Sequence, residues 1–571
     1  MHKKTVIDFK ELGQRYIFSQ PLKELKTRKV SEVKSILDQV ENYQKAGYYV
    51  PGYLSYEAAS AFEEKFQLHQ APLSGEYLAY FTVHQEVELA EIPLTYSEVD
   101  LAEDWHSTII AQDYEAAIAK IHQEIRQGNT YQVNYTLQLK EKIQGDHWAL
   151  YNRLVVEQNA AYNAYIEHDD FTVLSISPEL FFKTQDQQLI TRPMKGTVAR
   201  GLRTEEDLEL AAWLAQDSKN RAENMMIVDL LRNDMNRICQ IGSVQVQKLC
   251  QIEQYSTVWQ MTSTIQGQLA ESCQLRQIFQ ALFPCGSITG APKISTMAII
   301  KELEPQARGL YCGTIGLCLP SGERIFNVAI RTLQIHQGEA IYGAGGGITW
   351  DSNWQSEYQE AQQKAAVLYR KNPQFQLFST AKVSQGQISL YDQHLNRLRE
   401  AARYFAFPFD QDRLEEELEQ LLASQQKKED QRLKISLNKK GDFQFELAPL
   451  KPLAKTFKRA QLVQQKKDLA SPFTYFKTSH RPHLSLKDRE QIYYNAQGQL
   501  LETSIGNLLL KLDGKLYTPP LELGLLDGIY RQSLLKNGQV QEKILTLNDL
   551  QQAEKVYACN ALRGIYELEV D

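Results

Sequence analysis

Hydrophobic and polar positions change along this chain in short blocks rather than with one long period. From Glu76 to Val87 the run is rich in Tyr, Phe and Val and predicts a strand, whereas Asp113–Gln127 spaces its apolar residues for one helix face and stops at Gly128. A second helical stretch, Ser352–Tyr369, ends at Arg370-Lys371-Asn372-Pro373, because the residue before a proline is disfavoured in helix. Strand and helix signals mix throughout, which predicts an α/β or α+β architecture. The break near residues 366–376 predicts two domains, 1–369 and 370–571. No apolar run reaches the roughly 18 residues of a membrane span. Met1-His2-Lys3-Lys4 leads into charged rather than apolar residues, so the expectation is a cytoplasmic protein with no membrane partner. There is no internal repeat and no long low-complexity linker.

Composition narrows the picture without changing it. At 571 residues the chain exceeds the roughly 250–300 at which single cores stop growing. Hydrophobic residues make up 43% and charged residues 23%, as in an ordinary globular protein. A net charge of -7 with no basic block argues against nucleic acid as a partner. Seven scattered cysteines without a C-x-x-C pair favour reduced thiols over disulfides or a zinc site. Cys285 reads as a small packing residue.

Candidate chemistry begins at Pro193-Met194-Lys195-Gly196-Thr197, a lysine in a turn bounded by proline and glycine where backbone can press against a small anion. Alone, such a lysine is equally an ordinary surface turn. Further along come Lys219-Asn220-Arg221-Ala222-Glu223, the run Phe283 to Lys293, Arg308-Gly309-Leu310-Tyr311-Cys312-Gly313, Ala329-Ile330-Arg331-Thr332, Gly343-Ala344-Gly345-Gly346-Gly347, and Glu357 with Glu360. Gly286 to Lys293 lacks the Gly-Lys-Ser/Thr ending of a phosphate loop, and Pro292 removes an amide that phosphate needs, which argues against ATP. Gly343 to Gly347 has Ile348 where the last glycine of a dinucleotide fingerprint belongs. These glycines either let bare amides approach a carboxylate or form a structural bend.

In this order the motifs resemble the chorismate-utilising enzymes, in the version with lysine that marks aminodeoxychorismate synthase component I; anthranilate synthase component I usually has alanine there. The resemblance implies an anthranilate synthase component I-like α/β sandwich. It implies that Lys195 adds to ring C2 of chorismate while the C4 hydroxyl leaves, and that ammonia then resolves the adduct to 4-amino-4-deoxychorismate. Gly196 and Thr197 would line the substrate. Arg331 and Tyr311 would hold one carboxylate, near the amides of Gly345, Gly346 and Gly347 and the ammonium of Lys364. The planar fork of arginine suits that task, although a surface ion pair is the alternative for Arg331. Glu223 and Glu360 would bind Mg2+, with Glu357 acting through water, since this ion keeps several waters; taken singly, each glutamate is an ordinary solvated helix residue. An exposed lysine with a pKa near ~10.4 is a poor nucleophile, so the site must depress it, with Mg2+ and Lys293 as candidate cations. Where the family often reads Tyr-x-x-Val-x-His, this chain has Tyr255-Ser256-Thr257-Val258-Trp259-Gln260. Gln260 cannot transfer a proton and fits either a half that keeps the enolpyruvyl group or a polar core residue. No cysteine elbow or cysteine-histidine-glutamate set is present, which implies a separate glutamine amidotransferase subunit supplying ammonia.

From His394 to Ala561 a second set appears in order: His394-Leu395-Asn396-Arg397-Leu398, Lys477-Thr478-Ser479-His480-Arg481, the run Leu501 to Leu508, the run Gly524 to Arg531, and Asn560-Ala561-Leu562-Arg563-Gly564. This half resembles the class IV pyridoxal-phosphate enzymes, with a D-amino acid aminotransferase-like fold, in the branch containing aminodeoxychorismate lyase and the branched-chain and D-amino acid transaminases. The resemblance implies that Lys477 carries the Schiff base, Glu502 keeps the pyridine nitrogen protonated and Arg397 pairs with the phosphate. The N–H groups of Ile529 and Tyr530 would complete the phosphate site, with Asn560 and Ala561 beside it. Tyr530 replaces the usual threonine, and Pro482-His483-Leu484 lacks the tyrosine often found after Arg481. A lyase here would take 4-amino-4-deoxychorismate, remove a ring proton with Lys477 and release pyruvate, leaving the folate precursor 4-aminobenzoate. Class IV relatives commonly dimerise, which implies a homodimer through this half. Two other readings remain: an anthranilate or isochorismate synthase component fused to an amino acid transaminase, or a second half that is a non-catalytic module.

Overall fold

The computed structural model describes residues 3–69, 73–99, 105–369, 373–423, 429–465, 468–484 and 489–571. Contacts divide the chain into two units, 1–199 with 210–372, and 200–209 with 373–571. The expected domain boundary at 369/370 touches residues 370–372, which lie outside the described ones. Segment 200–209 belongs to the second unit. There Arg200 pairs with Asp207 at 2.7 Å and donates to the carbonyl of Tyr404, whose hydroxyl donates to the carbonyl of Gly201.

The expected helices form: Ala111–Arg126 buries Tyr114, Ala117, Ile118 and Ile121 on one face, and Trp354–Ala365 continues into a 3-10 turn at Ala366–Leu368. The strand expected from Glu76 to Val87 is shorter, Ala79–Val83, and buried on both faces, which explains its unbroken apolar run.

Among the described residues the first unit holds two ten-stranded sheets. One runs through Gly290–Ala291, Gln132–Lys142, Glu339–Ile348, Thr332–His336, Phe171–Ser177, Tyr162–His168, Lys4–Phe9, Arg15–Ser19 and Glu88–Ala90. The other runs through Met194–Ala199, Val258–Gln268, Gln188–Arg192, Leu180–Gln185, Arg324–Asn327, Thr314–Cys318, Val50–Leu54, Ala79–Val83 and Lys23–Thr27. Their pairings are antiparallel. Residues of both sheets, among them Ile7, Tyr53, Val173 and Leu317, share one core. Two further cores set helices on the outer faces: Leu37, Ile227 and Phe279 against the second sheet, Ile118 and Leu154 against the first. The unit is therefore a helix-covered sandwich with its core between the sheets.

The second unit begins with a four-stranded sheet, Gln387–Ile388, Leu377–Ser384, Gln431–Leu437 and Phe443–Pro449, packed with the helices Tyr391–Phe405 and Gln411–Ala423. An eight-stranded sheet follows. Its strands Leu500–Thr503 and Asn507–Leu512 also pair with each other, at Glu502 and Asn507, so six of the strands close into a ring. All seven cysteines are unpaired. Among the described residues no helix is long and apolar enough to cross a membrane.

Candidate active sites

Lys195 lies on Met194–Ala199, the edge strand of the second large sheet. Its register with Val258–Gln268 slips by one residue between Met194, opposite Thr262, and Thr197, opposite Gln260. The turn expected at Pro193–Thr197 is thus a β-bulge, a device that re-aims a side chain and leaves ladder positions unpaired. Gly196 has φ +90°, and a Cβ there would lie 3.0 Å from that of Asn220, so the bulge requires glycine.

Lys195, Gly196 and Thr197 line a cavity of about 500 Å3 together with Tyr311, Arg331, Gly345, Gly346, Gly347 and Lys364. Glu223, Glu357 and Glu360 line the same cavity, so the expected nucleophile, substrate-binding and metal-binding residues of the first half meet at one place. Burial lowers the pKa of the Lys195 ammonium and Lys364 adds to this, against the opposing pull of Glu223 and Glu179. Lys293 does not serve as the depressing cation. It is paired with Asp234 at 2.7 Å and donates to the carbonyl of Leu282.

The glycine run is no nest of left-handed turns. Gly343 to Gly347 are rungs of strand Glu339–Ile348, opposite Asn134 to Gln138, and their φ values are not positive. The pairing of this strand with Thr332–His336 ends at Tyr342, so beyond that point alternate peptides face away from the one remaining partner. Glycine keeps the wall thin: a Cβ on Gly347 would meet Gln132 and lie 3.2 Å from Lys195 Nζ. Lys364 donates to the carbonyl of Gly345 at 2.8 Å and pairs with Glu360 at 2.8 Å.

Burial and mutual repulsion push the pKa values of Glu223 and Glu357 up, while Lys364 holds that of Glu360 down against burial. Among the described residues no group of three His, Cys, Asp or Glu side chains is placed to hold a metal by itself. Repelling carboxylates on one wall nonetheless suit a hard cation that takes two protein oxygens and keeps its waters.

One residue escaped the sequence reading. Glu179 is 3% exposed, accepts a hydrogen bond from Ser287 Oγ at 2.7 Å and lines the same cavity. Burial raises its pKa to about 7, against the pull of Ser287 and Lys195, so it titrates near neutral pH beside the amine. The available signal was a lone carboxylate after Ser177-Pro178, between two largely buried strands. Cys285 is buried with its thiol pushed up to about 12, as a packing residue should be.

In the second unit, burial lowers the pKa of Lys477 to about 7; Arg397 and Arg481 add to this, and Glu502 opposes. Arg397 donates to the carbonyl of Asp527 at 2.6 Å, and Arg481 lies 3.6 Å from Glu502 with its Nε lacking a hydrogen-bond partner. Ile529 opens the helix Ile529–Lys536, and Gly528 before it packs so closely on Asn507 that a Cβ would clash. Asn560 donates to the carbonyl of Ile505 and accepts from the amides of Leu562 and Arg563. Tyr530 and Ala561 line a cavity of about 530 Å3 with Lys451 and Arg563. A buried amine among two guanidinium groups and one carboxylate, near a glycine-led helix start, fits an anionic aldehyde cofactor.

Residues 3–370 match the chorismate binding enzyme family and residues 376–568 the amino-transferase class IV family. The chain is 39% identical over 260 residues to aminodeoxychorismate synthase component 1 of Escherichia coli (strain K12), covering 46% of this chain and 57% of that protein. It thus spans little more than half the length of that curated relative. It is 33% identical over 331 residues to anthranilate synthase component 1 of Saccharolobus solfataricus, covering 56% of this chain and 79% of that one. Among solved structures, anthranilate synthase component I from Streptococcus pneumoniae TIGR4 superposes with a TM-score of 0.54 at 26% identity, over 64% of this chain and 92% of that one. The chain belongs to the chorismate binding enzyme family, and an amino-transferase class IV domain follows its chorismate-binding part.

Proposed function

We propose that the chain makes 4-aminobenzoate from chorismate and ammonia in two successive steps. The observation that carries the first step is Lys195 beside Glu179, whose pKa is raised to about 7, in a cavity that also presents Arg331, Lys364 and three carboxylates. Neutral Lys195 Nζ bonds to ring C2 as the C4–O bond breaks, and the departing hydroxyl takes the Glu179 proton and leaves as water. Ammonia then bonds to C4 and the C2–N bond breaks. This restores the Lys195 amine and returns one ammonia proton to Glu179. Arg331 and Tyr311 hold one substrate carboxylate. Glu223 and Glu360, with Glu357 through water, would hold Mg2+, which supplies positive charge for the other.

The product keeps its enolpyruvyl group and goes to the second site. Pyridoxal phosphate supplies an electron sink there when bound. Arg397 and the amides of Ile529 and Tyr530 would hold its phosphate, with Asn560 and Ala561 alongside, and Glu502 would keep its ring nitrogen protonated. Lys477, neutral above about pH 7, takes a ring proton from the substrate, the ring carbon–oxygen bond to the enolpyruvyl group breaks, the departing group takes that proton and leaves as pyruvate, and 4-aminobenzoate remains. Ammonia comes from a separate glutamine amidotransferase subunit, as the name component 1 of the E. coli relative suggests. The setting is the cytoplasm, and the chain pairs as a homodimer through its second half, as its resemblance to class IV enzymes implies.

The test is a pair of variants given chorismate, ammonium, Mg2+ and pyridoxal phosphate. Lys195→Ala should form no 4-amino-4-deoxychorismate yet convert the supplied intermediate, and Lys477→Ala should accumulate that intermediate. Anthranilate as the wild-type product would contradict the reading.

A further inference from the structure

A β-bulge leaves backbone groups that the ladder no longer satisfies, and buried peptide groups need partners. At the Lys195 bulge two side chains supply them. Asn224 Nδ2 donates to the carbonyl of Lys195 at 3.3 Å and to that of Met261 at 3.4 Å. Gln260 Nε2 donates to the carbonyl of Gly196 at 3.0 Å, and its Oε1 accepts from Thr197 Oγ1 at 3.0 Å. Gln260 faces Thr197 in the register of the neighbouring strand and lines the same cavity as Lys195. One carboxamide therefore bridges both residues that follow the nucleophile, donating to one and accepting from the other.

We propose that Gln260 is a positioning residue for Lys195: it caps the Gly196 carbonyl at the bulge, ties the Thr197 hydroxyl, and so fixes the direction in which the amine enters the cavity. This inference rests on the reading of Lys195 as the nucleophile. A primary amide suits the task because one group offers a donor and an acceptor of fixed spacing. A carboxylate of the same shape keeps only the acceptor. Misplacing a reacting group by about 1 Å is enough to lower a rate by about a hundredfold.

The experiment measures steady-state amination of chorismate with ammonium by the full chain and by Gln260→Ala and Gln260→Glu, together with melting temperature and second-step activity on supplied 4-amino-4-deoxychorismate. Expected is a fall in kcat of about 10- to 100-fold in both variants, with KM for chorismate within threefold and the second step unchanged. Retention of kcat within twofold in Gln260→Glu would overturn the proposal, because that variant fills the same space without the donor. A parallel loss of melting temperature, kcat and chorismate affinity would also overturn it, assigning Gln260 to fold support. Failure of the wild-type chain to aminate chorismate would overturn the assignment of Lys195 instead, so the two failures are distinct.

Discussion

Replacing Glu179 by glutamine separates two consequences of one buried carboxyl. Its folded-state pKa of about 7 lies above the ordinary 4.5, so the group favours the fold most when protonated. That stability is fully present below the unfolded pKa and is lost as pH rises through 7. A difference of about 2.5 units at about 1.36 kcal/mol each sets the penalty for ionising it at about 3 kcal/mol. Glutamine cannot ionise, and its carbonyl still accepts from Ser287. Glu179→Gln should therefore match the wild type in stability near pH 4 and exceed it by up to about 3 kcal/mol near pH 8.5, read by denaturant unfolding. The same change removes the proton given to the departing hydroxyl, so kcat for amination should fall by about 10²- to 10⁴-fold. The wild-type rate should decline above pH 7 as Glu179 ionises, and the variant's residual rate should lack that decline. A variant that keeps wild-type kcat, or a stability difference that is the same at both pH values, would refute the reasoning.

Three further outcomes follow from the same geometry. Capture of pyridoxal phosphate by Lys477, followed by its visible absorbance, should speed up as pH rises to about 7 and then level off, because the neutral amine is the reacting form; a rate still climbing at pH 9 would contradict the depressed pKa. Arg308 is buried, pairs with Glu304 at 2.6 Å and ties the carbonyls of Ile288 and Asn134 behind the cavity. Glu304→Ala strands that charge and should lower unfolding free energy by about 3–5 kcal/mol, with a loss under about 1 kcal/mol counting against it. Chelation of divalent ions should stop amination, with recovery on added Mg2+, and should leave pyruvate release from supplied intermediate unchanged.

Much of the first site was legible because its motifs keep their order, and the fold brings each of them to one wall. Local pattern also placed the helices Ala111–Arg126 and Trp354–Ala365, whose apolar spacing depends on nearby residues alone. What was hidden depends on distant strands. The bulge at Lys195 exists only because Val258–Gln268, some 65 residues later, sets the register, so a proline- and glycine-flanked lysine reads as a turn. The pKa of Glu179 rises only once the strands around it remove water. Gly343 to Gly347 look like a nest for an anion until Gln132–Lys142 pairs with them. The contacts of Gln260 were invisible for the same reason.

The central claim is that two covalently acting lysines on one chain perform consecutive steps, and product analysis tests it most directly. Mass spectrometry of the purified chain with chorismate, ammonium and Mg2+ should show 4-amino-4-deoxychorismate without pyridoxal phosphate, and 4-aminobenzoate with equimolar pyruvate once it is added. Anthranilate, isochorismate or unchanged chorismate under both conditions would contradict the account.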